Sequence, residues 1–145
     1  MSNERIIVID RGSPLMAAAF ALRVEVFVVE QQVPAELELD EFDDTATHLA
    51  ALHDDQVVGT ARIIADGGTC KIGRLAVRAA ARRGGLGSRL MARAEAIAAG
   101  EGAREIVLHA QVSVAGFYRK LGYREEGEVF DEAGIPHIGM RKRLA

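Results

Sequence analysis

A run of two arginines and three glycines, residues 82–88, stands directly before an apolar helical pattern. Its members are Arg82, Arg83, Gly84, Gly85, Leu86, Gly87 and Ser88. Glycines at the start of a helix let consecutive backbone N–H groups converge on one point, where they form a nest for an anion. The helix dipole adds positive potential at the same place, and the two arginines add full charges. These residues therefore predict a site for a phosphate or a pyrophosphate.

Two well-known phosphate-binding motifs do not describe this run. A P-loop requires Gly-x-x-x-x-Gly-Lys followed by Ser or Thr, and the chain contains no Gly-Lys pair. The dinucleotide-binding fingerprint requires Gly-x-Gly-x-x-Gly, but Gly85-x-Gly87 is followed by Leu90 at the third glycine position. On these residues alone, a glycine-rich turn with solvated arginines stands as an alternative to a phosphate site.

The hydrophobic pattern places this run between a strand and a helix of a mixed fold. A helix begins at Pro14 with Ser13 as its N-cap, and residues 28–44 read as an acidic loop with one helical turn. Gly59, inside a strand, predicts a bulge or a close backbone approach. We expect further helices over 87–99 and 114–123, and strands over 5–9, 48–53, 56–64, 70–77, 105–110, 124–132 and 136–144. This order predicts an α/β (α+β) fold with helices packed against one mostly antiparallel sheet.

The composition is that of a globular protein, since 49% of the 145 residues are hydrophobic and 27% are charged. We expect residues 1–145 to form a single domain. The apolar runs are far shorter than the roughly 18 residues that span a bilayer, and the N-terminus has no signal-peptide pattern. The single cysteine excludes an internal disulfide and a multi-cysteine zinc site. We therefore expect a cytoplasmic protein with no membrane association and no bound metal.

Charge is divided unevenly along the chain. Residues 24–61 contain ten acids and no Lys or Arg, whereas residues 67–94 contain seven basic residues and no acid. Two solvated faces explain most charge runs. The alternative is a cleft with an anionic wall for a cationic partner and a cationic wall for an anionic one. The net charge of −3 and the lack of aromatic residues among the arginines do not favour nucleic-acid binding.

A second motif, Gln111-x-x-Val114-x-x-Phe117-Tyr118-x-x-x-Gly122-Tyr123, follows the glycine run. In this order, the two motifs resemble those of the GNAT superfamily of N-acetyltransferases. That family carries Arg/Gln-x-x-Gly-x-Gly/Ala and then Asn-x-x-Ala-x-x-Phe/Leu-Tyr-x-x-x-Gly-Phe. Four further segments are similar to the ElaA-like branch of bacterial GNAT proteins: LRVEVFVVEQQVP at 22–34, ELDEFDD at 38–44, LHAQ at 108–111 and GIPHIGM at 134–140.

The resemblance implies the GNAT acyl-CoA N-acyltransferase fold, with helices on both faces of the sheet, and acetyl-CoA as co-substrate. The glycine run would hold the CoA pyrophosphate. Backbone groups of a splayed strand would pair with the pantetheine and polarise the thioester carbonyl. By this correspondence the CoA-binding residues are Leu75, Ala76, Val77, the seven residues 82–88, Gln111, Phe117 and Tyr118. Gln111 and Val114 depart from the family's Asn and Ala, so the amide reaches further and the helix packs differently.

The activity that the resemblance implies is transfer of an acetyl group to a primary amine of a small molecule or peptide, by direct attack in a ternary complex. Tyr118 corresponds to the family's tyrosine, and a phenol is a suitable acid for a leaving thiolate. The base for the amine is not readable from the sequence, and Glu30, in the loop after the first helix, is our first choice. The other candidates are Asp44, His48, His109 and His137.

The acidic segment lies where the family binds its acceptor, so we expect Glu30, Asp44, His48 and His137 to face the amine. His109 is equally compatible with a satisfied histidine of the core. The alternative function is a non-catalytic acyl-CoA-binding sensor or partner protein, which would keep residues 82–88 but tolerate loss of Tyr118. A homodimer through residues 135–140 is also compatible with the sequence.

Overall fold

The computed structural model describes residues 3–144, which form strands and helices joined by short helical turns. The strands are β1 (Glu4–Val8), β2 (Thr47–His53), β3 (Gln56–Asp66), β4 (Thr69–Val77), β5 (Glu105–Gln111), β6 (Arg124–Glu132) and β7 (Ile135–Arg143). The α-helices are α1 (Pro14–Arg23), α2 (Ala35–Glu38), α3 (Leu86–Gly100) and α4 (Ala115–Lys120). Within the described range, every helix is too short or too polar to cross a membrane.

The strands form one sheet in the order β1-β2-β3-β4-β5-β7-β6. Every neighbouring pair is antiparallel except β4 and β5. The parallel ladder is short, because it joins only Thr69 to Glu105, Cys70 to Ile106 and Lys71 to Val107. The predicted mostly antiparallel sheet is confirmed, and its one parallel pair lies at the centre.

Helices cover both faces of the sheet, as the resemblance implied. On one face Leu90 and Met91 of α3 pack in a core with Leu49 and Ile106. On the other face α1 packs against alternate residues of β2 and its neighbours, in a core that contains Met16, Ala19, Leu22, Ala50, Leu52, Val57 and Ala76. Because successive side chains of a strand point to opposite faces, β2 supplies residues to both cores.

Residues 28–44 are more ordered than the loop with one helical turn that the sequence predicts. α1 continues into a π-helical turn at Val24–Glu30, which Gln31 N–H closes by donating to the Val26 carbonyl at 3.1 Å. After α2, a 3₁₀ turn at Glu41–Asp44 is capped reciprocally by Asp40 and Asp43. The prediction is wrong here because ion pairs with distant arginines hold the segment, and local periodicity does not show such pairs.

Two bulges bend the central strands. Gly59 of β3 lies beside a register shift in the β2–β3 ladder, and a Cβ atom there would approach Leu90 Cδ1 to 2.8 Å. Both parts of the prediction for Gly59 are therefore confirmed. The second bulge lies in β4, where Arg74 adopts a φ of 53° and the β3–β4 register shifts between Thr60 and Arg62. A bulge bends its strand and increases the local twist.

Candidate active site

The centre of the sheet opens where the parallel ladder ends. Beyond the Lys71–Val107 pair, β4 continues to Val77 and β5 to Gln111 without pairing to each other. The Arg74 bulge re-aims β4 at this point. A cleft of about 1190 Å³ occupies the opening and reaches both ends of the glycine run. Unpaired strand edges inside a cleft leave backbone N–H and C=O groups available to a ligand.

The glycine run forms the N-terminus of α3 at one mouth of the cleft. Gly85 precedes the helix with a φ of 80°, and Arg83 also has a positive φ, of 74°. The N–H groups of the first helical turn, at residues 86–88, have no partners within the helix. At Gly87 a Cβ atom would lie 3.3 Å from Phe117 Cζ, so the glycine allows α4 to pack closely on α3. The predicted anion nest therefore has the required backbone.

Arg82 and Glu30 are bound to each other rather than separate. Arg82 Nη2 donates to both carboxylate oxygens of Glu30 at 3.0 and 2.9 Å, and Arg82 Nε donates to the Val77 carbonyl at 2.8 Å. Arg82 thus joins the end of β4 to the π-helical turn. The carboxylate of Glu30 is not part of the cleft wall. The geometry does not support our choice of Glu30 as base, because both of its carboxylate oxygens accept hydrogen bonds from Arg82 and its side chain does not line the cleft.

Most of the predicted CoA-binding residues line the cleft together. They are Leu75, Val77, Arg82, Arg83, Gly85, Leu86, Gly87, Ser88, Gln111, Phe117 and Tyr118. Two others do not: the Ala76 side chain is buried in the core beside α1, and Gly84 contributes its carbonyl to Arg89 Nη1 at 2.7 Å. Gln111 Nε2 donates to Gln31 Oε1 at 2.7 Å, so its amide ties the end of β5 to the turn after α1.

Tyr118 lies in an aromatic corner of the cleft. Its ring makes edge-on contacts with Phe117 and Tyr123, at centroid distances of 5.0 and 5.9 Å. Burial raises the pKa of Tyr118 to about 12, so its hydroxyl stays protonated and is available as a donor. Tyr123 is bound elsewhere, since its hydroxyl donates to Glu95 Oε2 at 2.7 Å.

Three arginines neutralise the centre of the acidic segment. Arg23, only 1% exposed, donates to Glu38 Oε1 at 2.6 Å and to Asp43 Oδ1 at 2.8 Å. Arg62 donates to Asp40 at 2.7 Å, and Arg74 reaches Asp40 at 3.2 Å. The expected anionic wall is therefore wrong for these carboxylates, because each is paired with a guanidinium from α1, β3 or β4.

The ion network also determines where two predicted acceptor residues lie. His48 is buried, with Nε2 2.9 Å from the Asp43 carbonyl oxygen, and its ring packs edge-on against Phe20. Asp44 is exposed at the end of the 3₁₀ turn. Neither side chain lines the cleft, so the geometry does not support a contact with the acceptor.

A cluster of two histidines and one glutamate lines the cleft. His109 Nδ1 lies 2.9 Å from Glu132 Oε1, and His137 Nε2 lies 3.7 Å from Glu132 Oε2. Burial alone would raise the pKa of Glu132, but the hydrogen bond from His109 and nearby positive charge outweigh it and lower that pKa. His137 is the one predicted acceptor residue that the structure brings to the cleft.

Glu132 is not among the residues predicted from the sequence, and His109, one of the candidate bases, is exposed rather than a core histidine. Alternation along β5 could have corrected His109, since Ile106, Leu108 and Ala110 are the buried set and His109 falls between them. Glu132 gave no such signal, because its approach depends on the register of the β6–β7 hairpin. Among residues 3–144, no group of three His, Cys, Asp or Glu side chains is arranged to hold a metal ion.

Solved structures share this architecture. An acyl-CoA N-acyltransferase from Pseudomonas aeruginosa is 34% identical with a TM-score of 0.84, over 98% of this chain and 99% of its own. Escherichia coli ElaA is 30% identical with a TM-score of 0.86, over 99% of this chain and 100% of its own. The fold and the cleft therefore define the protein as an N-acyltransferase of the GNAT fold.

The family follows from the sequence comparison. The model of the acetyltransferase (GNAT) domain matches residues 14–144. The uncharacterized N-acetyltransferase YjcF of Bacillus subtilis is 39% identical over 136 residues, which are 93% of this chain and 97% of YjcF. The chain belongs to the GNAT acetyltransferase family and is an N-acetyltransferase. The similarity to ElaA confirms the predicted resemblance to the ElaA-like branch of GNAT proteins.

Proposed function

We propose that the protein transfers an acetyl group from acetyl-CoA to the primary amine of a small molecule or peptide, by direct attack in a ternary complex. The observation that carries this proposal is the opening between β4 and β5, since one cleft there is lined by both the glycine run and the histidine cluster. A cleft that passes between two strands lets two substrates enter from different sides and meet. Holding reactants together in this way supplies a large part of the rate enhancement in bimolecular reactions.

The CoA half of the cleft fits a nucleotide pyrophosphate and an extended pantetheine. Backbone N–H groups at residues 86–88 and the exposed Arg83 offer donors and charge to the pyrophosphate. The unpaired edge of β4 at Leu75 and Val77 offers backbone groups to the pantetheine amides. Ala76 and Gly84 keep a backbone role in this proposal, because their side chains are not needed for it.

The thioester end falls near Tyr118, which we assign as the acid that protonates the leaving thiolate. Its hydroxyl is protonated at every physiological pH, since burial raises its pKa to about 12. The Phe117 ring packs edge-on against Tyr118 and adds apolar surface at the same place. A donor in a dry site stabilises developing negative charge more strongly than the same donor in water.

The acceptor half is apolar at its rim and balanced in charge at its base. Leu37 is 52% exposed and Phe42 is 45% exposed, and both line the cleft. Beneath them, Asp40 and Glu38 are paired with arginines. We therefore propose an acceptor amine carried on an apolar body, because the carboxylates that would bind a polycation are already neutralised. Exposed apolar patches beside a cleft are typical of binding sites.

The test is to combine acetyl-CoA binding with turnover. Calorimetry should show one acetyl-CoA bound per chain, and mass spectrometry should show acetylated product from an apolar primary amine such as a phenethylamine. A polyamine of matched pKa is the control acceptor and should be a poorer substrate. Binding of acetyl-CoA with no acetylation across an amine panel would favour the non-catalytic sensor instead.

A further inference from the structure

The histidine cluster has a geometry that directs one imidazole nitrogen into the cleft. Glu132 Oε1 lies 2.9 Å from His109 Nδ1, so the carboxylate accepts the Nδ1 proton. This hydrogen bond selects the tautomer in which Nε2 carries the lone pair. The residue opposite His109 in the β5–β7 ladder is Gly139, which has no side chain to cover the ring. His109 lines the cleft, so in this tautomer the Nε2 lone pair can accept a proton from a bound molecule.

We propose that His109 is the general base for the acceptor amine and that Glu132 positions it. This inference rests on the proposed function, since it assigns the base of the same reaction. The amine nitrogen forms a bond to the acetyl carbon, the carbon–sulfur bond breaks, and the thiolate takes a proton from Tyr118. The N–H proton that the amine loses moves to His109 Nε2 and then to solvent, and Tyr118 regains from solvent the proton that it gave to the thiolate, which balances the step. In many enzymes a carboxylate orients an imidazole in the same way, and the imidazole then accepts the proton of the nucleophile.

His137 lies beside the carboxylate and is oriented by a backbone contact of its own. Its Nδ1 lies 2.7 Å from the Ile135 carbonyl oxygen, so Nδ1 is the donor and Nε2 faces Glu132. The Phe130 ring stacks on His137 and meets His109 edge-on, with centroids 6.1 and 5.0 Å away. These contacts fix both imidazoles relative to the carboxylate. His137 is for this reason a second positioning residue and not the base.

The charged groups around His109 come from three neighbouring strands. Glu132 from β6 is the hydrogen-bond partner, Lys71 from β4 adds positive charge, and His137 lies beside the carboxylate on β7. Arg141, two residues after Gly139 on β7, donates hydrogen bonds to Glu105 and Glu126. Glu132 is the carboxylate in hydrogen-bond contact with the imidazole, so its removal takes away the counter-charge of the imidazolium.

The other candidates for the base are bound in ways that remove them from the amine. Glu30 forms its two hydrogen bonds with Arg82. His48 is buried against the Asp43 carbonyl. Asp44 lies outside the cleft. His109 is the candidate that combines an open position in the cleft with an orienting carboxylate.

The experiment compares His109→Gln, Glu132→Gln and a control, His53→Gln, a histidine on the surface that pairs with Asp54. We expect His109→Gln to lower kcat/KM for the amine at least 100-fold, which is the lower range for loss of a general base. The dissociation constant for acetyl-CoA should change less than twofold, and His53→Gln should match the wild type. Glu132→Gln should move the acidic limb of the pH–kcat/KM profile to lower pH, since the imidazolium loses its counter-charge.

A second readout does not depend on activity. The Cε1–H resonances of the four histidines can be followed by NMR as the pH is changed, and the His109 signal is assigned from His109→Gln. In Glu132→Gln the titration midpoint of His109 should fall, while that of His53 stays where it is. An unchanged His109 midpoint, or His109→Gln with wild-type turnover, would overturn the inference while the proposed function stands. If the wild type acetylates no amine, both fail together.

Discussion

At the scale of single residues, the cleft is organised by pairs that join distant parts of the chain. Arg82 and Glu30 are 52 positions apart, and each was expected to act on a different substrate. In the structure they form one bidentate ion pair that ties β4 to the turn after α1. Arg82 therefore shapes the mouth of the cleft, and Arg83, next to it, presents its charge to the ligand.

Replacing Tyr118 with Phe removes the proposed acid without changing the aromatic corner. We expect kcat to fall about 100-fold, because the leaving thiolate loses its proton donor. Affinity for acetyl-CoA should be kept, since the ring contact with Phe117 persists. Steady-state kinetics and calorimetry on the same preparation measure the two effects.

The matched control for this variant is Tyr123→Phe. That hydroxyl binds Glu95 outside the cleft, so the change should lower thermal stability and leave kcat near the wild-type value. Equal loss of kcat in both variants would contradict the assignment of Tyr118.

Replacing Asp43 with Asn tests the buried ion network. Burial opposes the charge of this carboxylate, but hydrogen bonds from Arg23 and from the Asp40 N–H outweigh it and hold the pKa of Asp43 well below its usual range. A depressed folded-state pKa stabilises the fold above the unfolded-state value near about 3.9, and this contribution is lost as the pH falls below it. We expect Asp43→Asn to cost about 3 kcal/mol at pH 7, because Arg23 keeps a buried charge with one partner fewer.

Urea unfolding followed by circular dichroism at pH 7, 4 and 3 measures this dependence. The wild type should lose stability between pH 4 and pH 3 more steeply than Asp43→Asn does. Asp55→Asn is the control, since its salt bridge with Arg5 is on the surface and contributes little. Parallel slopes for wild type and Asp43→Asn would show that the network does not depend on this carboxylate.

The residues whose place in the cleft the sequence predicted include both backbone and side-chain groups. The glycine run and Tyr118 belong to contiguous motifs whose elements follow from local periodicity, so their positions in the cleft could be anticipated. Glu30, His109 and Glu132 act through side chains whose partners lie on other elements. Their pairing depends on strand register and on where a turn ends, which a single sequence does not specify.

At the scale of elements, β3 and β4 position the cleft through two bulges. The sequence predicted the bulge at Gly59, because a glycine inside a strand often marks a bulge or a close backbone approach. It did not predict the second, since Arg74 is a residue that rarely adopts a positive φ. Hydrogen bonds from its side chain to the Glu38 and Leu37 carbonyls hold this conformation. The bulge that opens the sheet is thus stabilised by the segment that bounds the acceptor site.

Replacing Gly59 with Ala should strain the bulge in β3. A Cβ atom there would lie 2.8 Å from Leu90 Cδ1 and 3.3 Å from Ala51 Cβ, in a core with no space to relax. We expect the free energy of unfolding to fall by about 1–3 kcal/mol, as in other overpacked cores. Urea unfolding followed by circular dichroism measures the change.

Gly68 offers the matched control, because a Cβ atom at that turn would meet nothing within 4 Å. Gly68→Ala should stay within about 0.5 kcal/mol of the wild type. A similar loss in both variants would mean that the cost arises from glycine replacement in general and not from contact with α3.

At the scale of the whole molecule, the uneven charge of the chain has two different outcomes. The basic residues near the glycine run partly remain at the cleft surface, as Arg83 does. Several carboxylates of the acidic segment form salt bridges with arginines from other elements. The sequence showed both charge runs, but only the folded chain shows that basic residues line the cleft while several acidic residues are paired with arginines within the fold.

Acetyl-CoA binding should therefore depend on salt, and Arg83→Gln should reduce that dependence. We expect this variant to bind acetyl-CoA about fivefold more weakly at low ionic strength, with a smaller difference at 0.5 M salt, because screening weakens the contribution of an exposed charge. Calorimetry across a salt series measures both slopes. Arg5→Gln, which alters a charge on the edge strand β1, should follow the wild type, and salt-independent binding in the wild type would contradict the charged mouth.

The short ladder between β4 and β5 has one more consequence, which concerns its cysteine. Cys70 is the only cysteine of the chain, it pairs with Ile106 in that ladder, and it is 2% exposed. Burial, together with the negative charge of Glu101, raises the pKa of its sulfhydryl and suppresses the reactive anion. A disulfide dye such as Ellman's reagent will therefore report each molecule of coenzyme A as it leaves, with no background from the native enzyme.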